Sequence, residues 1–152
     1  VVDDIISEAL RHIDRRSAEH HITMNCGEIP LLVRVDAGLI MQVLINLVNN
    51  AIKYTPAGST IQITSIQRGN VAEICVSDNG TGIPNELKER VFEMFFTGSN
   101  PTSDSRRSLG LGLSLCQVIV HAHHGKMTLK DNLPHGCIFS FTVALSEVNL
   151  NE

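Results

Sequence analysis

The sequence has no tryptophan and only 4% aromatic residues, so its core has to be built from aliphatic side chains. It also lacks any C-x-x-C pair. Cys26, Cys75, Cys116 and Cys137 are scattered, which argues against a metal site or a disulfide framework and for reduced, buried thiols. No apolar run reaches membrane-spanning length. The start, Val1-Val2-Asp3-Asp4, has neither the basic opening nor the small-residue cleavage site of a signal peptide. No initiator methionine opens the chain, which therefore reads as a piece of a longer protein. Twelve basic against sixteen acidic residues give a net charge of −4 with no basic stripe, which excludes a nucleic-acid surface. There is no internal repeat or low-complexity tract. What is present is globular: 152 residues, 43% hydrophobic and 18% charged, enough for one domain with a real core.

Helical spacing of Ile5, Ile6, Ala9, Leu10 and Ile13 predicts a helix over 3–18. Short strands are expected at 22–25 and 32–35. Asp36 is placed to cap a long helix that runs to Tyr54 and is stopped by Pro56 and Gly58. Alternation over 60–66 and 71–77, with a turn at Arg68-Gly69-Asn70, predicts a hairpin. A glycine-rich loop follows at 78–82, then a short helix from Pro84 to Val91. Residues 97–109 show no periodicity and read as a lid or other functional loop. A helix is expected over 112–124 with Gly125 as its cap, then strands at 126–130 and 137–144. Residues 1–145 form the domain and 146–152 a frayed tail. Strands in hairpins with helices between them predict an α+β two-layer sandwich, a mixed and mostly antiparallel sheet packed on helices.

Three stretches carry chemistry. On the long helix, Asn46, Asn50 and Lys53 are spaced i, i+4, i+7 and share a face. Such a stripe can simply be a solvated face, but asparagine has no propensity reason to recur in a helix. Two amide oxygens above an ammonium suit hydrated Mg²⁺ and a polyphosphate. Second, Asp78-Asn79-Gly80-Thr81-Gly82-Ile83 directly follows a strand. It reads either as an ordinary turn or as a carboxylate that accepts from an exocyclic amine, with glycines that admit a flat ligand. Third, Leu109-Gly110-Leu111-Gly112-Leu113 opens a helix, where free N–H groups and the positive dipole end favour phosphate. It is neither a Walker A loop nor a Rossmann fingerprint.

The order of these elements resembles the ATPase fold shared by gyrase, heat-shock-ninety chaperones, histidine kinases and mismatch-repair ATPases. Within it the chain most resembles the catalytic, ATP-binding domain of bacterial sensor histidine kinases over residues 1–145. Asn46–Asn50 running into Tyr54-Thr55-Pro56 is similar to the N box. Asp78–Ile83 and Gly110–Leu113 are similar to the two glycine boxes, and Val91-Phe92-Glu93-Met94-Phe95-Phe96 to the F box. The stretches 96–113 and 131–136 also resemble the Kdp-type potassium-responsive sensor kinases.

The resemblance implies ATP and Mg²⁺ as ligands. It implies that Asp78 binds the adenine amino group and that Gly80 and Gly82, with Ile83, pack under the base. Asn50 ligates Mg²⁺, Asn46 sits near the ion or the phosphates, Lys53 reaches a phosphate oxygen and Tyr54 packs by the adenine or ribose. Asn46 and Lys53 are the catalytic residues. Leu109, Gly110, Leu111, Gly112 and Leu113 supply the phosphate cradle and lid hinge, while Phe92, Phe95 and Phe96 anchor the lid base. Hydrolytic relatives carry a glutamate where this chain has Asn46, and an amide cannot act as a general base. The implied activity is therefore transfer of the γ-phosphoryl group to a histidine on a separate dimerisation domain, with a response regulator served indirectly. None of the seven histidines has the phosphoacceptor context. The implied location is cytoplasmic, without direct membrane contact, in a parent anchored in the bacterial inner membrane.

This chain departs from the pattern at Arg106-Arg107-Ser108-Leu109, where the family has more glycine, at Met94 in place of proline, and at His124 in place of a glycine. The two arginines either contact phosphate or face solvent and the acceptor domain. His121, His123 and His124 invite a metal reading that has no acidic or thiol partner nearby. The alternatives are a non-catalytic nucleotide-binding interaction module of the same fold and a protein-serine kinase of the anti-sigma type, which Asn46 disfavours.

Overall fold

The computed structural model describes residues 1–13, 20–28, 30–80, 104–132 and 135–146. Its elements are α1 (Val2–Leu10), β1 (His21–Asn25), α2 (Ala37–Tyr54), β2 (Thr60–Arg68), β3 (Val71–Asp78), α3 (Asp104–Ala122), β4 (Met127–Asp131) and β5 (Cys137–Ala144). Five strands form one sheet in the order β1-β2-β3-β5-β4. β1 and β2 run parallel, and every other neighbouring pair is antiparallel. The helices lie against one face of this sheet, which is the α+β two-layer sandwich expected from the pattern.

The core between the layers is aliphatic, as the scarcity of aromatics requires. Ile6 from α1, Ile40, Leu44 and Leu47 from α2, and Ile61, Ile63 and Ile74 from the sheet are fully buried, with Phe141 the one large aromatic among them. Burying each such side chain contributes about 1.5–3 kcal/mol.

α2 begins where its cap dictates. Asp36 has extended backbone and its carboxylate accepts from Leu39 N–H at 3.0 Å, three residues on. Thr55 returns to extended backbone before Pro56. β3 alternates strictly, with Ala72, Ile74, Val76 and Asp78 on the buried side. The two-residue period that packs the aliphatics therefore also turns the Asp78 side chain toward the helical layer.

Several expectations need correction. α1 ends at Leu10, because Arg11 and His12 close i→i−3 bonds to Glu8 and Ala9 that end the helical geometry, although Ile13 still packs on the core. No strand forms at 32–35. Val33 makes a single bridge to Leu145, flanked by Arg34 N–H to Ala144 O and Ser146 N–H to Leu32 O, so Ser146 is fastened rather than frayed. α3 starts at Asp104, not at 112, and takes in the second half of the expected lid. The short helix from Pro84, the F box and residues 147–152 lie outside the described residues. Cys75 is half-buried, whereas Cys26, Cys116 and Cys137 are buried, and none of the four is in a disulfide.

The C-terminus of α3 is not capped by Gly125. His123 and His124 leave the helix, and the N–H groups of Gly125 and His124 bond to the carbonyls of Val120 and His121 at 2.9 Å each. This double closure requires a left-handed residue, and His124 takes it with φ 63°. Gly125 serves close approach instead: a Cβ there would fall 1.9 Å from the Thr142 carbonyl oxygen.

Candidate functional site

Asp78 ends β3 and is 8% exposed. Its Oδ1 accepts from Gly80 N–H at 2.9 Å and from Cys137 N–H at 3.3 Å. Both donors converge on one oxygen, which fixes the carboxylate plane. The loop after it is held on both sides. Asn79 Oδ1 accepts from Thr60 N–H at 2.8 Å, and His135 Nδ1 donates to Gly80 O at 2.9 Å. Gly80 packs on the end of α2 so tightly that a Cβ would stand 2.6 Å from Thr55 Cγ2. Thr55 is fixed in turn: its hydroxyl donates to Ala51 O at 2.6 Å and takes a 2.9 Å bond from His20 Nε2.

The last turns of α2 therefore touch the Asp78 loop, and they carry Asn50 and Lys53. Asn50 is buried at 7% exposure and Lys53 is half-buried. The apolar stripe of Leu44, Leu47, Val48 and Ala51 beside them is buried in the core.

Asn46 is not on an open face. Its amide stands beside the Cys116 thiol of α3, which donates to Val43 O at 3.8 Å. Burial pushes the Cys116 thiol up to about 12, an effect the Asn46 amide partly offsets. Further along, Asp36 N–H donates to His123 Nε2 at 3.0 Å. These contacts make α2 and α3 antiparallel: position 123 faces 36, and 116 faces 43–46. Both helices rise ~1.5 Å per residue, so stepping back along α3 from Cys116 leads toward the turn of α2 that holds Asn50. Gly112 and Gly110 lie on that path.

The expected helix-start geometry of the second glycine pair does not hold. Gly110 and Gly112 lie inside α3, six and eight residues beyond its first residue, where helical N–H groups point back at carbonyls four residues earlier. Of the leucines around them, Leu113 is buried in the core. Gly82 and Ile83 lie outside the described residues, and for Tyr54, Leu109 and Leu111 only the helical backbone is described. The histidine cluster is not arranged for a metal. Both ring nitrogens of His123 are used on backbone, Nδ1 donating to Ile119 O at 2.9 Å and Nε2 accepting from Asp36.

Asn132, His135 and His20 are parts of the site to which the motifs assigned no role, and Thr55 lay in the N-box stretch without one. Asn132 and His135 contact the Asp78 loop across 54 and 55 residues of chain. The stretch 131–136 was visible as a similarity to one kinase subgroup, and that was the only local signal.

Residues 35–147 match the family described as histidine kinase-, DNA gyrase B-, and HSP90-like ATPase. The chain is 37% identical over 143 residues to the sensor protein KdpD of Clostridium acetobutylicum, covering 94% of this chain and 16% of that protein. It is 35% identical to the adaptive-response sensory kinase SasA of Synechococcus elongatus, covering 94% of this chain and 37% of that one. Among solved structures, the catalytic domain of histidine kinase ThkA superposes with TM-score 0.80 at 32% identity, covering 94% of this chain and 93% of that one. ThkA in complex with the response regulator protein TrrA superposes at 0.77 with 31% identity, over 95% of this chain and 40% of that one. The chain thus spans well under half of KdpD and of SasA. Among the described residues, no helix is long and apolar enough to cross a membrane.

Proposed function

The chain belongs to the histidine kinase-, DNA gyrase B- and HSP90-like ATPases, as a catalytic domain of the sensor histidine kinase type, and from that premise we propose that it passes the γ-phosphoryl group of ATP to a histidine on a separate dimerisation domain. The parent protein would be a membrane-anchored sensor that signals onward to a response regulator, and similarity to KdpD favours a Kdp-type parent.

The observation that carries the nucleotide reading is the junction of the Asp78 loop with the end of α2. It brings a buried, rigidly held carboxylate next to the turn bearing Asn50 and Lys53. Asp78 uses one oxygen on two backbone donors, which leaves the other to accept an amine proton from adenine. Gly80 keeps the loop flat against Thr55. The family resemblance would put Tyr54 by the base or ribose. Asn50 would offer an amide oxygen to the phosphate-bound ion, with Asn46 one turn behind and Lys53 one turn ahead to supply an ammonium.

These groups fit Mg²⁺ delivered with the nucleotide rather than a caged resident ion. Asn50 offers one neutral oxygen, and among the described residues no three His, Cys, Asp or Glu cluster to hold a metal. When bound, the ion neutralises phosphate charge. Asn46 cannot take a proton from water, so this helix supports positioning and charge balance rather than hydrolysis. The amides of 109–113 would complete the phosphate cradle once the first turns of α3 unwind, because inside the helix they point at its own carbonyls.

Calorimetry with Mg-ATP tests the assignment. Asp78→Asn and Asn50→Asp should each weaken binding at least about 30-fold, since each sets the wrong charge or donor against the ligand, while the melting curve stays cooperative. Wild-type affinity in both variants would refute the roles. Labelled ATP mixed with the domain and the parent's dimerisation domain separates transfer from an inert nucleotide-binding module: label on histidine excludes the inert module.

A further inference from the structure

The turn between β4 and β5 reaches over the Asp78 loop and holds it at four points. Asn132 Nδ2 donates to Asp78 O at 2.7 Å. His135 Nδ1 donates to Gly80 O at 2.9 Å. Cys137 N–H donates to Asp78 Oδ1 at 3.3 Å. Gly136, at φ 115°, lies so close to the loop that a Cβ would stand 2.0 Å from Asp78 O. The turn is closed on itself by Asn132 N–H to Gly136 O at 3.0 Å. Two side chains thus satisfy the carbonyls on either side of Asn79, in a loop whose carboxylate must keep one orientation.

We propose that Asn132 and His135 are positioning residues for base selection: by fixing the Asp78 and Gly80 carbonyls, they hold the Asp78 carboxylate where it accepts from an amine at the C6 position of the purine and repels a carbonyl there. The inference rests on the reading of Asp78 as the base acceptor. The physical reason is the cost of misplacement. A fixed acceptor discriminates between donor and acceptor on the base because the wrong partner leaves buried oxygens facing each other. A carboxylate free to turn can swing aside and accommodate either base. Neither Asn132 nor His135 needs to touch nucleotide for this.

The test is displacement of a fluorescent ATP analogue from the whole domain by ADP and by inosine diphosphate, which carries a carbonyl in place of the C6 amine. The wild-type chain should prefer ADP. Asn132→Ala and His135→Ala should each shrink that ADP-to-inosine preference about fivefold, the worth of one orienting hydrogen bond, mainly by weakening ADP. His135→Asn, which keeps a donor near the Nδ1 position, should restore most of it. The exposed His135 pair keeps the test usable if Asn132→Ala fails to fold. A purely structural role would lower the melting temperature and leave the preference ratio unchanged. An unchanged ratio in His135→Ala, in a wild-type background that does prefer ADP, overturns the inference. Equal displacement by the two diphosphates in the wild-type chain sinks the base reading of Asp78 itself, and this inference with it.

Discussion

A methyl group added at Gly80 would stand 2.6 Å from Thr55 Cγ2 and 3.2 Å from Asp78 Oδ1. Thr55 is β-branched and pinned by Ala51 and His20, so it cannot swing away cheaply. Gly80→Ala should therefore cost about 1–3 kcal/mol in denaturant unfolding and weaken Mg-ATP at least about tenfold by calorimetry. Unchanged affinity would show that the loop has slack. His124 is the opposite case. It occupies a left-handed position that strains any side chain with a Cβ, and the space belongs to a helix-closing motif rather than to the site. His124→Gly should stabilise the domain by about 1 kcal/mol, read as a higher melting temperature, and leave nucleotide binding alone. At this scale the placement of Asp78 and Gly80 was legible in the sequence because it is local to the end of one strand. Asn132 and His135 were not, since their partners lie more than fifty residues away and nothing in the pattern pairs them.

α2 was readable almost to the residue because its start and stop are written locally, in Asp36 and in Pro56. Its N-terminus is also held from outside. The Asp36 N–H that the helix leaves unpaired is taken by His123 Nε2 at the end of α3. Asp36→Ala should cost about 1 kcal/mol through the lost cap, and His123→Ala about 0.5–1 kcal/mol through the lost hydrogen bond to an exposed amide. Unfolding of the double variant checks whether the two act as one joint: a loss smaller than the sum of the single losses is expected. α3 was the least legible element. Gly110 and Gly112 interrupt the apolar spacing that marks a helix, and the polar run before them reads as loop, yet the helix reaches back to Asp104. Packing against α2 through Leu113 and Cys116 overrides the weak propensity of that stretch. The pairing of β1 parallel to β2 was equally hidden, because it is set by the path across α2 rather than by any turn.

For the molecule as a whole, the buried thiols contribute a loss of stability at alkaline pH. Burial raises the Cys116 thiol from an ordinary 9.0 to about 12, and burial raises Cys26 and Cys75 as well. A folded-state value above the unfolded one means the unfolded chain sheds its proton first. The contribution of Cys116 is whole below pH 9 and is lost as pH climbs toward 12, at most about 1.4 kcal/mol per pH unit. Urea unfolding at pH 7 and pH 10 should show this decline, and Cys116→Val should flatten it. An identical decline in the variant would place the effect elsewhere. The α+β class and the aliphatic core were legible because both follow from composition and period.

Leu31 O receives Val2 N–H and Leu32 O receives Ser146 N–H, so the first helix and the end of the last strand are tethered to neighbouring residues. Val71 pairs with Ala144 at this pole, while Asp78 ends β3 at the other, seven residues along the strand. At ~3.4 Å per residue, roughly 24 Å separate the two poles. The start of α1 and the end of β5 thus sit together at the pole of the sheet opposite Asp78, so loosening either should leave the hydrogen bonds of the Asp78 loop intact.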